Sequence, residues 1–156
     1  RVYAARKGKF KTLNSVKNII KNEKNFFNEK NFNKFRHNVV QSKLQLYKLL
    51  NNIIEKKHKI YGIGAPSRAS TLIHYLGITE EIIKCVCEID GSHKIGNYMP
   101  GTSIPIVSEK MLYKDKPEYA ILLSWHISSE LIKNLKKKGF KGKFIIPLPK
   151  PRVVSA

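Results

Sequence analysis

The sequence predicts an α/β fold, a mostly parallel sheet with flanking helices, preceded by N-terminal helices. Three observations predict it. Between residues 59 and 149, short apolar runs alternate with amphipathic stretches in the order strand, glycine turn, helix, strand, helix, strand, helix, strand, the pattern of parallel strands joined by right-handed crossovers. One of these runs, residues 82–89, is almost continuously apolar and rich in β-branched residues, which suits a strand buried on both faces. The first 58 residues instead carry apolar side chains at helical spacing among Lys and Asn.

Element by element, Arg1-Val2-Tyr3-Ala4-Ala5-Arg6 reads as a strand that needs a sheet to join, and Gly8 breaks it. Leu13, Val16, Ile19 and Ile20 then mark a helix with Thr12 or Ser15 as its N-cap. Residues 22–33 are rich in Asn and form helix poorly, yet Phe26, Phe27 and Phe32 call for burial. A longer helix follows through Phe35, Val39, Leu46, Leu49, Leu50 and Ile53, ending near Lys57, where Lys56, Lys57 and His58 suit a helix C-terminus. Ile60-Tyr61-Gly62-Ile63-Gly64 is a short strand entering a glycine turn, and residues 68–76 a helix closed by Gly77. After the buried strand at 82–89, Asp90-Gly91-Ser92 is a turn and residues 96–101 a loop. A short strand is expected at 103–107, then a helix capped by Ser108 with Glu109 in its first turn. Residues 119–125 are a strand and 128–138 an amphipathic helix stopped by Gly139. Phe144-Ile145-Ile146 is a last strand, which Pro147, Pro149 and Pro151 prevent from extending as an interior strand. Two parts result: residues 1–58, a strand and basic helices, and residues 59–156, the α/β domain.

The chain has 156 residues, 42% of them hydrophobic, enough for a real core and unlike a disordered tail. No run approaches the roughly 20 apolar residues of a membrane span, and no apolar signal core follows the basic start, so a cytoplasmic protein is expected. Cys85 and Cys87, the two cysteines, would face the same side of one strand as reduced thiols. Without a second pair or a His cluster they make no zinc site. The formal charge is +19, with 16 basic against 3 acidic residues through Lys59 and 14 against 8 beyond it. Such a field attracts nucleotides, nucleic acid or acidic protein surfaces. The lysines, however, are scattered singly among Asn and lack the interleaved aromatics of a single-strand binder, and a Lys-, Asn- and Ile-rich composition is also what an AT-rich genome yields. Nucleic acid is therefore not the expected partner.

The glycine turn carries the chemistry. In Gly62-Ile63-Gly64-Ala65-Pro66-Ser67-Arg68, the two glycines permit a tight turn and close ligand approach, and the amides opening the next helix can bind an anion. Ser67 either caps that helix or offers a hydroxyl to a phosphate, and Arg68 brings a five-donor fork. A dinucleotide fingerprint would place a third glycine where Arg68 stands and an acid about 20 residues on. Asp90, ending the next strand, lies 26 residues after Gly64. A Rossmann-like crevice is expected, with ordinary NAD binding disfavoured; the competing reading is a turn that merely joins strand to helix. Asp90 either accepts ribose or sugar hydroxyls or caps its own turn. Tyr98, Met99, Pro100, Gly101 and Thr102 form either a loop that closes over ligand or an ordinary loop. At the end of another strand, Trp125 can stack on a base or sugar, and His126 either hydrogen-bonds a phosphate, acts as acid or base near neutral pH, or is a structural or solvated residue, but no carboxylate in the local sequence orients His126. No metal site and no serine, cysteine or paired-carboxylate catalytic set is visible.

Several spaced motifs then carry a resemblance: Gly62-Ile63-Gly64-Ala65-Pro66-Ser67-Arg68-Ala69-Ser70-Thr71-Leu72, Glu88-Ile89-Asp90, Lys94-Ile95-Gly96-Asn97-Tyr98-Met99-Pro100-Gly101-Thr102-Ser103-Ile104-Pro105-Ile106, the run from Tyr119 into Ser124-Trp125-His126, and Phe144-Ile145-Ile146-Pro147-Leu148-Pro149. Together they resemble the C-terminal domain of the S-adenosylmethionine-dependent sugar C-methyltransferases, which methylate a carbon of nucleotide-linked deoxysugars. The resemblance implies a chain that begins inside a larger protein, with residues 1–6 closing a central methyl-donor domain that holds the acid–base residues. It implies that Gly64, Ala65, Ser67, Arg68 and Thr71 line the sugar-nucleotide side of an interdomain cleft, with Asp90, Tyr98, Trp125 and His126 nearby. It also implies no catalytic residue and no cofactor on this chain, S-adenosylmethionine in the full-length enzyme, and as partners a nucleotide-linked sugar and the central methyltransferase domain, in cis or trans. Ser67-Arg68 stands where the family more often has Ala-Lys, Ser70 and His126 where it has Asn, which leaves the sugar open. The expected function is the substrate-binding portion of such an enzyme, inactive as an isolated chain. The alternatives are a non-enzymatic nucleotide or protein-interaction module and a nicotinamide-dependent oxidoreductase.

Overall fold

The structure, a computed structural model, describes residues 3–155. The chain divides into two compact units between Val39 and Val40, nineteen residues before the expected boundary.

In the first unit, residues 3–6 form no strand, and Arg1 and Val2 lie outside the described residues. Helix α1 spans Asn14–Phe26, its N-cap position taken by Leu13 without a side-chain cap, and α2 spans Glu29–Glu55. The Asn-rich stretch is thus mostly helical, interrupted only at Phe27 and Asn28. Its asparagines act as caps: Asn28 Oδ1 accepts the Asn31 N–H at 2.9 Å, and Asn31 Nδ2 donates to the Phe26 carbonyl at 2.8 Å. The expected burial of the phenylalanines does not occur. Phe26, Phe27, Phe32 and Phe35 are 60, 57, 51 and 63% exposed, with Phe26 edge-on to Phe27 and Phe27 stacked on Phe32.

The second unit is built on a six-stranded sheet. Its elements are β1 (Ile60–Ile63), α3 (Ser67–Leu76), β2 (Val86–Glu88), β3 (Ile106–Ser108), α4 (Lys110–Asp115), β4 (Tyr119–Leu122), α5 (Ser128–Lys137), β5 (Lys143–Ile146) and β6 (Arg152–Val154). The strand order is β3-β2-β1-β4-β5-β6, all neighbours parallel except the last pair. Alternation along the strands divides the core. Ile60, Val86, Ile121 and Ile145 face Leu46, Leu50 and Ile53 of α2 and Ala69, Leu72, Ile73 and Leu76 of α3. Tyr61, Ile63, Cys85, Cys87, Ala120, Leu122, Phe144 and Ile146 face Leu112 of α4 and Leu135 of α5. Both cysteines therefore lie on one side of the sheet as free, buried thiols, and the hydrogen bond with the neighbouring Cys85 thiol, followed by burial, pushes the Cys87 thiol up.

Several boundaries differ from expectation. The run 82–89 is strand only at its end, because Ile82 and Ile83 donate to the Thr79 carbonyl in a turn. After β4 the chain makes a short 3₁₀ turn, Trp125–Ile127. The prolines at 147, 149 and 151 stop β5 as expected, yet the chain beyond them returns as β6, an edge strand whose ladder contains no proline. Gly77 and Gly139 end α3 and α5 with φ of 62° and 97°.

Gly62 lies inside β1, and a Cβ there would sit 2.9 Å from Val86 Cγ2 and 3.1 Å from Leu123 Cδ1. Its lack of a side chain admits neighbouring side chains rather than a ligand. Gly62→Ala is expected to overpack the sheet centre, costing about 1–3 kcal/mol and lowering Tm by roughly 3–10 °C, measurable by thermal circular dichroism.

Candidate functional site

The strand order reverses at β1: the chain builds outward through β2 and β3, then crosses back to lay β4 on the other side. A crevice opens at such a switch point, at the C-terminal ends of the strands. The C-terminal end of β1 is the glycine turn, and that of β4 is Ser124-Trp125.

Gly64 has φ of 78°, the left-handed region that favours glycine. A Cβ on it would lie 3.0 Å from Ser124 Oγ, so the two strand ends meet at this residue. Ala65 is buried. Its N–H donates to Glu88 Oε1 at 2.6 Å, and its carbonyl accepts from Lys94 Nζ at 2.8 Å. Lys94 Nζ stands 3.5 Å from the same Glu88 oxygen. Pro66 holds the N-cap position of α3, with no side-chain cap, so Ser67 begins the helix and does not cap it. Ser67, Arg68 and Thr71 are all exposed and, three and four residues apart, share one helix face. Trp125 is half-buried and packs against the core on both faces of the sheet, closing its end; His126 beside it is exposed.

Two expected neighbours lie elsewhere. The Asp90 carboxylate is engaged with the start of α4, accepting from the Ser108 hydroxyl and pairing with Lys110 Nζ at 3.0 Å. Tyr98 bridges to Pro105 on the outer side of β3, two strands from β1. Its loop is a pinned hairpin rather than a free lid. Gly96 and Met99 donate to Ile106 and Ile104, Met99 is buried in the core, and His74 Nε2 lies 2.9 Å from the Pro100 carbonyl. A separate cavity of about 420 Å³, lined among others by Tyr113, Lys116, Glu118, Lys138 and Phe140, opens at the start of β4 and β5, the opposite end of the sheet.

Residues 1–149 match the family described as the C-methyltransferase C-terminal domain. The chain belongs to that family. Among curated proteins it is similar to C-methyltransferase NovU of Streptomyces niveus, 34% identical over 115 residues, which is 72% of this chain and 27% of that protein. The chain thus spans about a quarter of the relative's length. The resemblance read from the motifs names the same family.

In this C-methyltransferase C-terminal domain, sequence reasoning missed Glu88 and Lys94 as parts of the glycine turn. The signal was present: Glu88 is the one charge in the run from Cys85 to Ile89, and a carboxylate at a buried strand end needs a donor. No helix among the described residues is long and apolar enough to cross a membrane.

The Ser108 hydroxyl and then the Lys110 ammonium hold the Asp90 carboxyl below its ordinary range. With the folded value below the unfolded one, the contribution to stability is fully present above the unfolded value and lost as pH falls through the folded one. Wild-type denaturant midpoints are therefore expected to fall more steeply than those of Asp90→Asn between about pH 5 and pH 3.

Proposed function

We propose that this chain is the substrate-holding part of an S-adenosylmethionine-dependent C-methyltransferase acting on a nucleotide-linked keto-deoxysugar. The observation that carries the reading is the strand-order reversal at β1, the place where such sheets bind ligands, where Gly64 meets Ser124 beside Trp125 and the exposed face of Ser67, Arg68 and Thr71. Arg68 supplies a fixed cationic fork for a diphosphate. Trp125, with one side packed on the core, offers its remaining surface to a base or sugar ring. These groups act by orienting the sugar and excluding water.

Proton removal beside the keto group is assigned to a base outside the described residues, since His126 is exposed and no carboxylate orients it. S-adenosylmethionine would supply an electrophilic methyl group from the methyl-donor domain, in cis or trans. The glycine turn here does not fit it: Glu88 already occupies the Ala65 amide, and Val86 and Leu123 fill the space beside Gly62. The isolated chain is expected to transfer no methyl group.

In a nitrogen–proton correlation NMR titration, about millimolar nucleotide sugar is expected to shift the amides of Gly64, Ser67 and Arg68 and the Trp125 indole. No shift at any of these positions overturns the reading.

The exposed rings of Phe26, Phe27, Phe32 and Phe35 favour a second role, docking of the basic N-terminal helices on another domain. Joint replacement Phe32→Asp and Phe35→Asp is expected to change the stability of this chain by no more than about 0.5 kcal/mol. It should also abolish co-elution with a separately supplied methyl-donor domain in size-exclusion chromatography.

A further inference from the structure

In a nucleotide-binding α/β crevice, the backbone N–H groups of the first glycine turn hold phosphate, and an acid at the end of the second strand holds ribose hydroxyls. In this chain the two parts are joined to each other. The carboxylate at the end of β2, Glu88, accepts the Ala65 N–H at 2.6 Å. Its side chain is 14% exposed, and Ala65 is buried beneath it. Lys94 spans the pair, donating to the Ala65 carbonyl and facing Glu88 Oε1 at 3.5 Å. One amide thus has its acceptor, one half-buried carboxylate has its donor and its counter-charge, and the turn is fastened to β2 by groups on both sides of a single residue.

We propose that Glu88 is a built-in anion on the glycine turn, a specificity-determining residue that keeps phosphate off the Ala65 amide and closes the β2 side of the crevice. The inference rests on the proposed function only for the identity of the ligand. A phosphate brought to Ala65 would compete for a donor already bonded to a carboxylate and would be repelled by it at short range in a partly desolvated place. An extended dinucleotide, which needs the β2 side for its second ribose, is shut out. An anionic ligand is left with the opposite side, bounded by Gly64, Ser124 and Trp125, where Arg68 is exposed on α3. The net charge of +19 draws anions to the whole surface, so rejection at one position requires a local acid such as this one.

The test uses the full chain and inorganic pyrophosphate, followed by the same NMR correlation spectra in wild type, Glu88→Ala, Glu88→Gln and Lys94→Met. Pyrophosphate is expected to leave the Ala65 amide unmoved in wild type. In Glu88→Ala that amide should shift on titration and the affinity rise about tenfold, the scale of one charge-assisted hydrogen bond relieved of a competitor. Glu88→Gln, which keeps shape and acceptor while losing the charge, should show a smaller gain; it also serves if the alanine variant does not fold. Lys94→Met, with Glu88 still on the turn, should show none. The proposal is overturned by a saturable Ala65 shift in wild type, by no gain in the folded Glu88 variants, or by an equal gain in Lys94→Met, which would make general loosening the cause. Uridine diphosphate glucose forms a separate arm. If it moves no resonance in any protein, the functional reading fails while the pyrophosphate comparison still decides the role of Glu88.

Discussion

The central strand β1 sets the terms for the second unit. It is covered on both faces and paired on both edges, and at Gly62 its neighbours come so close that Val86 and Leu123 occupy the place of a side chain. Adjacent parallel strands lie about 4.8 Å apart, so whatever ends β2 and β4 arrives beside whatever ends β1. On one side this brings Glu88 and Lys94 to Ala65, and on the other it brings Ser124 to Gly64. Tight packing at the middle of the sheet and convergence of groups at its end are therefore one constraint. A wider β1 would cost both.

How much of this was legible in the sequence depends on where the deciding interaction lies. Helix α3 and helix α5 were readable because their apolar spacing and terminal glycines are local signals, and the left-handed conformations of Gly77 and Gly139 are those signals realised. The strands were overextended because apolarity reports burial and not pairing. Ile83 is fully buried but sits after a turn, and Trp125 packs on the core from a 3₁₀ turn. Strand β6 escaped notice because its pairing with β5 is non-local and the prolines before it mark only the interruption. The junction of α1 and α2 was misjudged through propensity: asparagine is a poor interior residue and a good cap, and Asn28 and Asn31 serve at the helix ends.

Helical periodicity likewise names a face without naming what meets it. The apolar residues of α2 near its C-terminal end, Leu46, Leu50 and Ile53, are buried in the core of the second unit, whereas Phe32 and Phe35 in the first unit stand in solvent. Each group obeys the same spacing. Spacing alone therefore does not tell which of the two groups meets a core.

The acid of the crevice illustrates the same limit at the scale of two residues. Counting forward from the glycines leads to the end of the second strand, where Glu88 and Asp90 are both available, and a motif defined by spacing cannot choose between them. The pleat can. Cys85 and Cys87 point to the α4 and α5 side and Val86 to the α3 side, so Glu88, the next residue of that second set, faces the turn that enters α3. Asp90 has the same parity but lies beyond the strand, after the chain has begun to turn, and it goes to Ser108 and Lys110. The residue that closes the glycine turn is thus selected by its last paired position in β2, and its carboxylate stands where the amide alone would have welcomed phosphate. On the other side of the turn Arg68 is exposed and Trp125 half-buried against the core.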